Sequence, residues 1–154
     1  MSRLVTCNGC FDGLHPGHLF FLGYCAAQGD RLIVFVNDDD YIRKAKHREP
    51  YYTVYERCES LVALEFIDSA IVFSEDTPNK QIEFFHPQVH CTGEEYGINC
   101  PESSICKKLG IDLVFVPRIP FWSTSNNEKE GQQLVDCYMQ RLLEKRRKLL
   151  GEGD

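Results

Sequence analysis

At 154 residues, with 43% hydrophobic and 26% charged side chains, the chain is long enough for one domain burying roughly two-thirds of its unfolded surface. A formal net charge of −6 excludes bulk attraction to polyanions, so no nucleic-acid partner is expected and any bound phosphate must be held locally. No apolar run approaches the ~18 residues of a membrane span, and the opening MSRLVTCNGC lacks the apolar region of a secretion signal. The expectation is a cytoplasmic protein with no membrane partner.

Strand and helix patterns then alternate. RLVTC reads as a buried strand ending at the Asn8-Gly9 turn. GHLFFLGYCAAQG reads as a helix, with Leu19, Leu22 and Ala26 at helical spacing and Gly29 as its C-cap. DRLIVFVND is a continuous apolar run bounded by charges, the pattern of a parallel strand covered on both faces. DDDYIRKAKHREPYY is polar and broken by Pro50, which fits a short helix or a mobile loop. Thr53 and Glu56 form a capping box for a helix through YERCESLVALEF. SAIVF is a strand, and EDTPNKQIEFF a helix with Thr77 as N-cap and Pro78 at its first position. QVHCTG and DLVFVP are further strands, separated by the helix SSICKKLG. Ser125 and Glu128 open a long amphipathic helix, about 126–150, on which Leu134, Tyr138 and Leu142 recur. Its stripe could cover the domain or pair with a second copy in a homodimer. The Lys145–Lys148 cluster fits an ordinary helix C-terminus. The alternation argues for a single α/β domain spanning 1–154: a three-layer, Rossmann-like sandwich around a central parallel sheet, with the extra C-terminal helix.

Eight cysteines are spread along the chain. Cys7 and Cys10 form a CxxC, but no second CxxC completes a zinc site, and a turn lies between them where a redox pair would open a helix. Buried reduced thiols are the expected reading.

In such a sheet a ligand sits beyond the carboxyl ends of the strands. CNGCFDGLHPGH, residues 7–18, lies at the end of the first strand. Gly9, Gly13 and Gly17 let the backbone turn there and approach a ligand. The following helix aims its N-terminus at the same place, and His15 and His18 share a face if both lie on its first turn. Two imidazoles above a helix N-terminus make a donor-rich pocket for phosphate oxygens. A metal at these histidines would need further ligands from Asp12, Cys7 or Cys10, where the helix dipole favours anions. A purely structural histidine pair is the plainer alternative. Pro and Gly between the histidines, a strand before and a helix after, favour phosphate.

NGCFDGLHPGH resembles the HxGH signature of the cytidylyltransferase-like nucleotidyltransferases. GDRLIVFVNDD, Glu56-Arg57, EDTP at 75–78, TGEEY at 92–96 and WSTS at 122–125 recur in family order, and NGCFD, VND and EDTP are most similar to the adenylyltransferase domain of ADP-heptose synthases. The resemblance implies adenylyl transfer from ATP (or CTP, for a cytidylyltransferase) with Mg²⁺ to a phosphorylated acceptor such as heptose 1-phosphate, releasing pyrophosphate. Alternatives are cytidylyl transfer to glycerol 3-phosphate or another polyol phosphate, adenylyl transfer to FMN, and a non-catalytic nucleotide-binding regulator. By resemblance His15, His18 and Lys46 are catalytic, with Lys44 the next lysine considered. Gly9, Cys10, Phe11, Gly17, Thr92, Gly93, Glu95, Arg118, Ser123, Thr124 and Ser125 bind nucleotide. Asp12, Lys44 and Arg57 bind substrate. Asp12 could help hold Mg²⁺ or instead hydrogen-bond its turn, and Arg57 could be a surface ion pair. Thr92 stands where the heptose-type pattern has lysine, and Trp122 replaces a smaller residue.

Overall fold

The computed structural model describes residues 2–118 and, beyond them, residues 140, 143, 144, 147, 148 and 151. Five strands, β1 (Leu4–Gly9), β2 (Arg31–Asn37), β3 (Ser69–Phe73), β4 (Val89–Gly93) and β5 (Asp112–Val116), form one parallel sheet in the order β3-β2-β1-β4-β5. Five helices connect them: α1 (Pro16–Ala26), α2 (Asp39–Lys46), α3 (Val54–Val62), α4 (Asn79–Phe85) and α5 (Ser103–Leu109). The strand order reverses between β1 and β4, so the crevice at their carboxyl ends is the topological switch point.

Alternation along the strands divides the interior into two layers. Val5 and Cys7 of β1, Leu32, Val34 and Val36 of β2, Val89 and Cys91 of β4 and Val116 of β5 face Phe20, Leu22, Cys25 and Ala26 of α1 and Val54 and Leu61 of α3. Phe35, Phe73, Ile33, Ile71 and Leu113 face the opposite layer, with Ile82 of α4 and Cys106 of α5. β2, buried on both sides, therefore needs its unbroken apolar run. The expected three-layer α/β architecture is the observed one.

Several local expectations change. Of the two readings of DDDYIRKAKHREPYY, the short helix is the observed one, over Asp39–Lys46: the Asp38 carboxylate accepts from the Tyr41 N–H at 2.8 Å, and acids in the first turn and cations in the last complement the dipole. α1 ends at Ala26, three residues before Gly29, with Ala27 as C-cap. Gly29 serves close approach instead, because a Cβ there would lie 2.6 Å from the Arg3 carbonyl oxygen. α4 begins one residue later than expected, so Pro78 is its N-cap rather than its first helical residue, and Thr77 lies outside it. The Thr53 hydroxyl caps α3 as expected, accepting from the Glu56 N–H at 3.3 Å.

The expected C-terminal helix and its Ser125/Glu128 box fall mostly outside the described residues. Of that segment Gln140, Leu143, Glu144, Arg147 and Lys148 are helical. Among the described residues, no helix is long and apolar enough to cross a membrane.

Candidate active site

The loop from β1 to α1 builds the floor of the crevice. Phe11 takes a left-handed conformation (φ 49°), as does Gly13 (φ 93°), and the Gly13 N–H donates back to the Phe11 carbonyl at 3.1 Å. This tight reversal drives the Phe11 ring into the core, where it meets the His18 ring edge-on at 5.5 Å. Gly9 is required by that ring, since a Cβ at Gly9 would approach Phe11 Cε2 to 2.9 Å. Phe11 is only 5% exposed, so its side chain is part of the core and not of the crevice surface.

His15 is the N-cap of α1, and His18 stands at the third helical position. Each imidazole caps the other's backbone: the His18 N–H donates to His15 Nδ1 at 3.4 Å, and the His15 N–H to His18 Nδ1 at 3.3 Å. The rings stack at 3.7 Å. Histidines thus take both parts of a capping box usually made by Ser or Thr and Glu. An Nδ1 that accepts holds no proton, so each neutral ring carries its hydrogen on Nε2. Burial, with the charges of His15 and Lys46 behind it, pushes the His18 pKa down to about 4. The cradle therefore sets an uncharged His18 ring beside the His15 ring on a helix N-terminus.

Lys46, at the end of α2, supplies the cation nearby: its charge acts on both His18 and Cys10. Lys44 lies two residues earlier on the same helix and is exposed. Burial raises the Cys10 thiol despite Lys46 and Arg57, and its Sγ lies 3.8 Å from Asn37 Oδ1. Cys7 points the other way, into the α1 layer, so the CxxC is split across the strand. Among the described residues no group of three His, Cys, Asp or Glu could hold a metal ion.

Arg57 is not a surface ion pair. Its side chain is fully buried, with Nε donating to Tyr52 O (3.1 Å), Nη1 to Cys10 O and Asn37 O (both 2.7 Å), and Nη2 to Asp39 Oδ1 (2.8 Å). Four of its donors are thereby used within the protein. Asp12 likewise turns inward, accepting from Arg48 and from the backbone of Tyr51 and Tyr52.

Across the switch point, Thr92 is buried in β4 and Gly93 ends it. The Glu95 carboxylate folds over Gly93, where a Cβ would collide with it. Glu94 accepts from the Arg118 N–H at 2.8 Å and ties this loop to the end of β5. Gly17 sits in the first turn of α1, within the cradle. Ser123, Thr124 and Ser125 lie outside the described residues. Sequence reasoning overlooked Arg48, Asn37, Glu94 and His90. His90, fully buried, places Nδ1 2.8 Å from the Thr6 hydroxyl and Nε2 3.2 Å from Asn8 Oδ1. Because Asn8 Oδ1 only accepts, His90 Nε2 donates and Thr6 donates to Nδ1. Burial holds this histidine at a pKa of about 3, an uncharged link beneath the crevice.

The profile of the family described as cytidylyltransferase-like matches residues 6–148. The chain belongs to the cytidylyltransferase-like family. Membership places it among nucleotidyltransferase enzymes. This cytidylyltransferase-like chain is 45% identical over 99 residues to the bifunctional protein HldE of Azotobacter vinelandii, covering 64% of this chain and 21% of that protein. To the HldE of Helicobacter hepaticus it is 38% identical over 137 residues, covering 88% of this chain and 28% of that protein. It thus spans only a minor share of either relative's length. A lipopolysaccharide core biosynthesis protein from Thermoplasma volcanium superposes with a TM-score of 0.62 at 26% identity, over 77% of this chain and 97% of that one. A pantothenate synthetase from Thermus thermophilus (TM-score 0.54, 14% identity, 87% of this chain and 65% of that one) shares the fold. In the cytidylyltransferase-like chain the cradle and the β4 loop follow the carboxyl ends of β1 and β4, and the Lys46 charge acts on His18 in the cradle.

Proposed function

We propose that the chain transfers AMP from ATP to a sugar 1-phosphate of the heptose 1-phosphate type, releasing pyrophosphate. The observation that carries the transfer chemistry is the reciprocal His15/His18 cap at the N-terminus of α1, on the switch point of the sheet. An acceptor phosphate oxygen attacks the α-phosphorus, a P–O bond forms, and the bond from the α-phosphorus to the bridging oxygen breaks. Pyrophosphate leaves with that oxygen and its electron pair. The protein need supply no nucleophile, so its work is positioning and charge stabilisation. The Nε2–H groups of His15 and His18 donate to phosphate oxygens, the α1 dipole favours the anion, and the Lys46 ammonium offsets charge developing on the leaving group. Mg²⁺, when bound, neutralises triphosphate charge and is carried by triphosphate oxygens and water. Asp12 does not fit as its ligand, because both carboxylate oxygens are engaged by Arg48, Tyr51 and Tyr52.

The choice of ATP and heptose phosphate is supported by the kinship to HldE proteins and the resemblance of NGCFD, VND and EDTP to the ADP-heptose branch. The name of the Thermoplasma relative also points toward a carbohydrate acceptor. The test is pyrophosphate release with Mg²⁺, crossing ATP, CTP, GTP and UTP against heptose 1-phosphate, glycerol 3-phosphate and FMN. Turnover with ATP and heptose 1-phosphate is expected, falling at least ~100-fold in His15→Ala and His18→Ala, the scale of losing transition-state donors. Turnover with another pair replaces the substrate and keeps the mechanism. Tight nucleotide binding with no release from any pair favours a regulator.

A further inference from the structure

The Asp12 side chain is only 2% exposed, and all its recorded partners lie in one stretch of chain. Oδ2 accepts from Arg48 Nη1 at 2.7 Å and from the Tyr51 N–H at 3.0 Å, and Oδ1 accepts from the Tyr52 N–H at 3.0 Å. Burial raises its pKa, but these hydrogen bonds outweigh it and hold the carboxyl below its ordinary value. Asp12 is therefore an ionised acceptor already committed to its own chain.

That stretch, residues 47–52, connects α2 to α3. It begins immediately after Lys46, where His47 turns the chain through a left-handed conformation (φ 52°). Arg48 bridges to Asp12, donates to the Glu49 carbonyl at 2.9 Å and lies 4.1 Å over the Tyr51 ring. At the far end Arg57 takes the Tyr52 carbonyl, while the Tyr52 ring approaches Gly13 in the cradle loop. The connection is thus fastened to the phosphate cradle at both ends. Lys46 is exposed and stands at the helix end from which the fastened stretch departs.

We propose that Asp12 is a positioning residue that clamps the 47–52 connection and so keeps Lys46 at the mouth of the His15/His18 cradle, acting on turnover through Lys46 rather than by touching metal or acceptor. This rests on the proposed nucleotidyl transfer at that cradle. The argument is geometric. Lys46 has a long, flexible stem and its own backbone is the last of α2, so its reach depends on where the following residues hold the helix end. Without the Asp12 carboxylate, Arg48 and two backbone donors lose a shared acceptor, and the start of the connection keeps only the solvent-exposed Arg43–Glu49 pair, which ties it to α2 and not to the cradle.

The test is a set of double-mutant cycles in kcat/KM for pyrophosphate release, well below the unfolding temperature. Asp12→Asn and Arg48→Ala are each made with Lys46 intact and in a Lys46→Ala background. Each is expected to lower kcat/KM at least about tenfold with Lys46 present and less than about threefold without it, the non-additivity of residues acting as one unit. Full additivity would overturn the proposal, because a carboxylate on metal or acceptor loses its effect regardless of Lys46. Arg48 is partly exposed, so Arg48→Ala decides the matter if Asp12→Asn does not fold. Amide exchange in the ligand-free protein separates this idea from the transfer reading. The Tyr51 and Tyr52 N–H groups should be protected and exchange at least about tenfold faster in either variant. Unchanged exchange sinks the clamp even in an active enzyme, and altered exchange in a protein that turns over nothing sinks only the transfer.

Discussion

His18 is kept uncharged by its position: burial first, then the neighbouring His15 and the Lys46 ammonium, bring its pKa to about 4. Protonation would have to place a hydrogen on Nδ1, the atom that accepts the His15 backbone N–H, so charging the ring removes half of the α1 cap. A titration of the His18 Cε1 proton by NMR is expected to show a midpoint near 4, with no inflection from this residue around 6.5. Lys46→Ala should raise that midpoint by roughly half a unit, the effect of one charge several Å away near solvent. The folded-state value lies below the unfolded one, so the unfolded chain binds the proton more readily. Stability from this group is complete above about 6.5 and is lost as pH falls toward 4. A measured midpoint at 6 or above would mean the ring is neither buried nor near Lys46. The HxxH spacing was enough to put both rings on one helix turn. Their mutual capping was not legible, because it depends on side-chain rotamers that spacing does not determine.

At the scale of elements, one arginine on α3 holds the carboxyl ends of β1 and β2 together. Arg57 reaches the Cys10 carbonyl just past β1, the Asn37 carbonyl at the end of β2, the Tyr52 carbonyl before its own helix, and Asp39 at the start of α2. Arg57→Ala strands three carbonyls and one carboxylate in or near the interior, and is expected to cost about 3–5 kcal/mol. Arg57→Lys should recover less than half of this, since an ammonium cannot span partners arranged around a planar fork. Urea unfolding of the three proteins checks it; a loss within about 0.5 kcal/mol for Arg57→Ala would show an unimportant surface group. From sequence the helix itself was plain, through Thr53, Glu56 and its apolar spacing. That its arginine turns inward was not, because a charged residue two positions from exposed Tyr55 looks like solvent-facing surface. The same limit applies to α4: Thr77-Pro78 is a good helix opening locally, yet the helix starts after it, and nothing short-range marks the difference.

For the molecule as a whole, the strands SAIVF and DLVFV and the α/β alternation were legible because parallel strands in a covered sheet must be apolar on both faces. Strand order was not, since register and the reversal between β1 and β4 arise from which helices pack on which layer. The opening CxxC shows what that costs a sequence reading. Cys7 pairs across the sheet with Cys91, and Cys25 of α1 closes onto both, while Cys10 lies beyond the strand in the crevice. Burial, with hydrogen bonds to Cys7 and Cys91, holds the Cys25 thiol well above its ordinary range. Three elements of the core therefore meet at three buried thiols that reagent can reach only when the sheet and α1 part. Pulse labelling with an alkylating reagent, read by peptide mass, is expected to modify half-buried Cys10 and Cys58 first and Cys7, Cys25 and Cys91 together, last. The late group should react only through the open population of roughly 10⁻³–10⁻⁶, and urea should accelerate all three in parallel. Nucleotide should slow Cys10 by occupying the crevice and slow the core trio by stabilising the fold. Labelling of Cys7 alongside Cys10 would mean instead that the two share the crevice, and that β1 does not separate the thiol layer from the His15/His18 cradle.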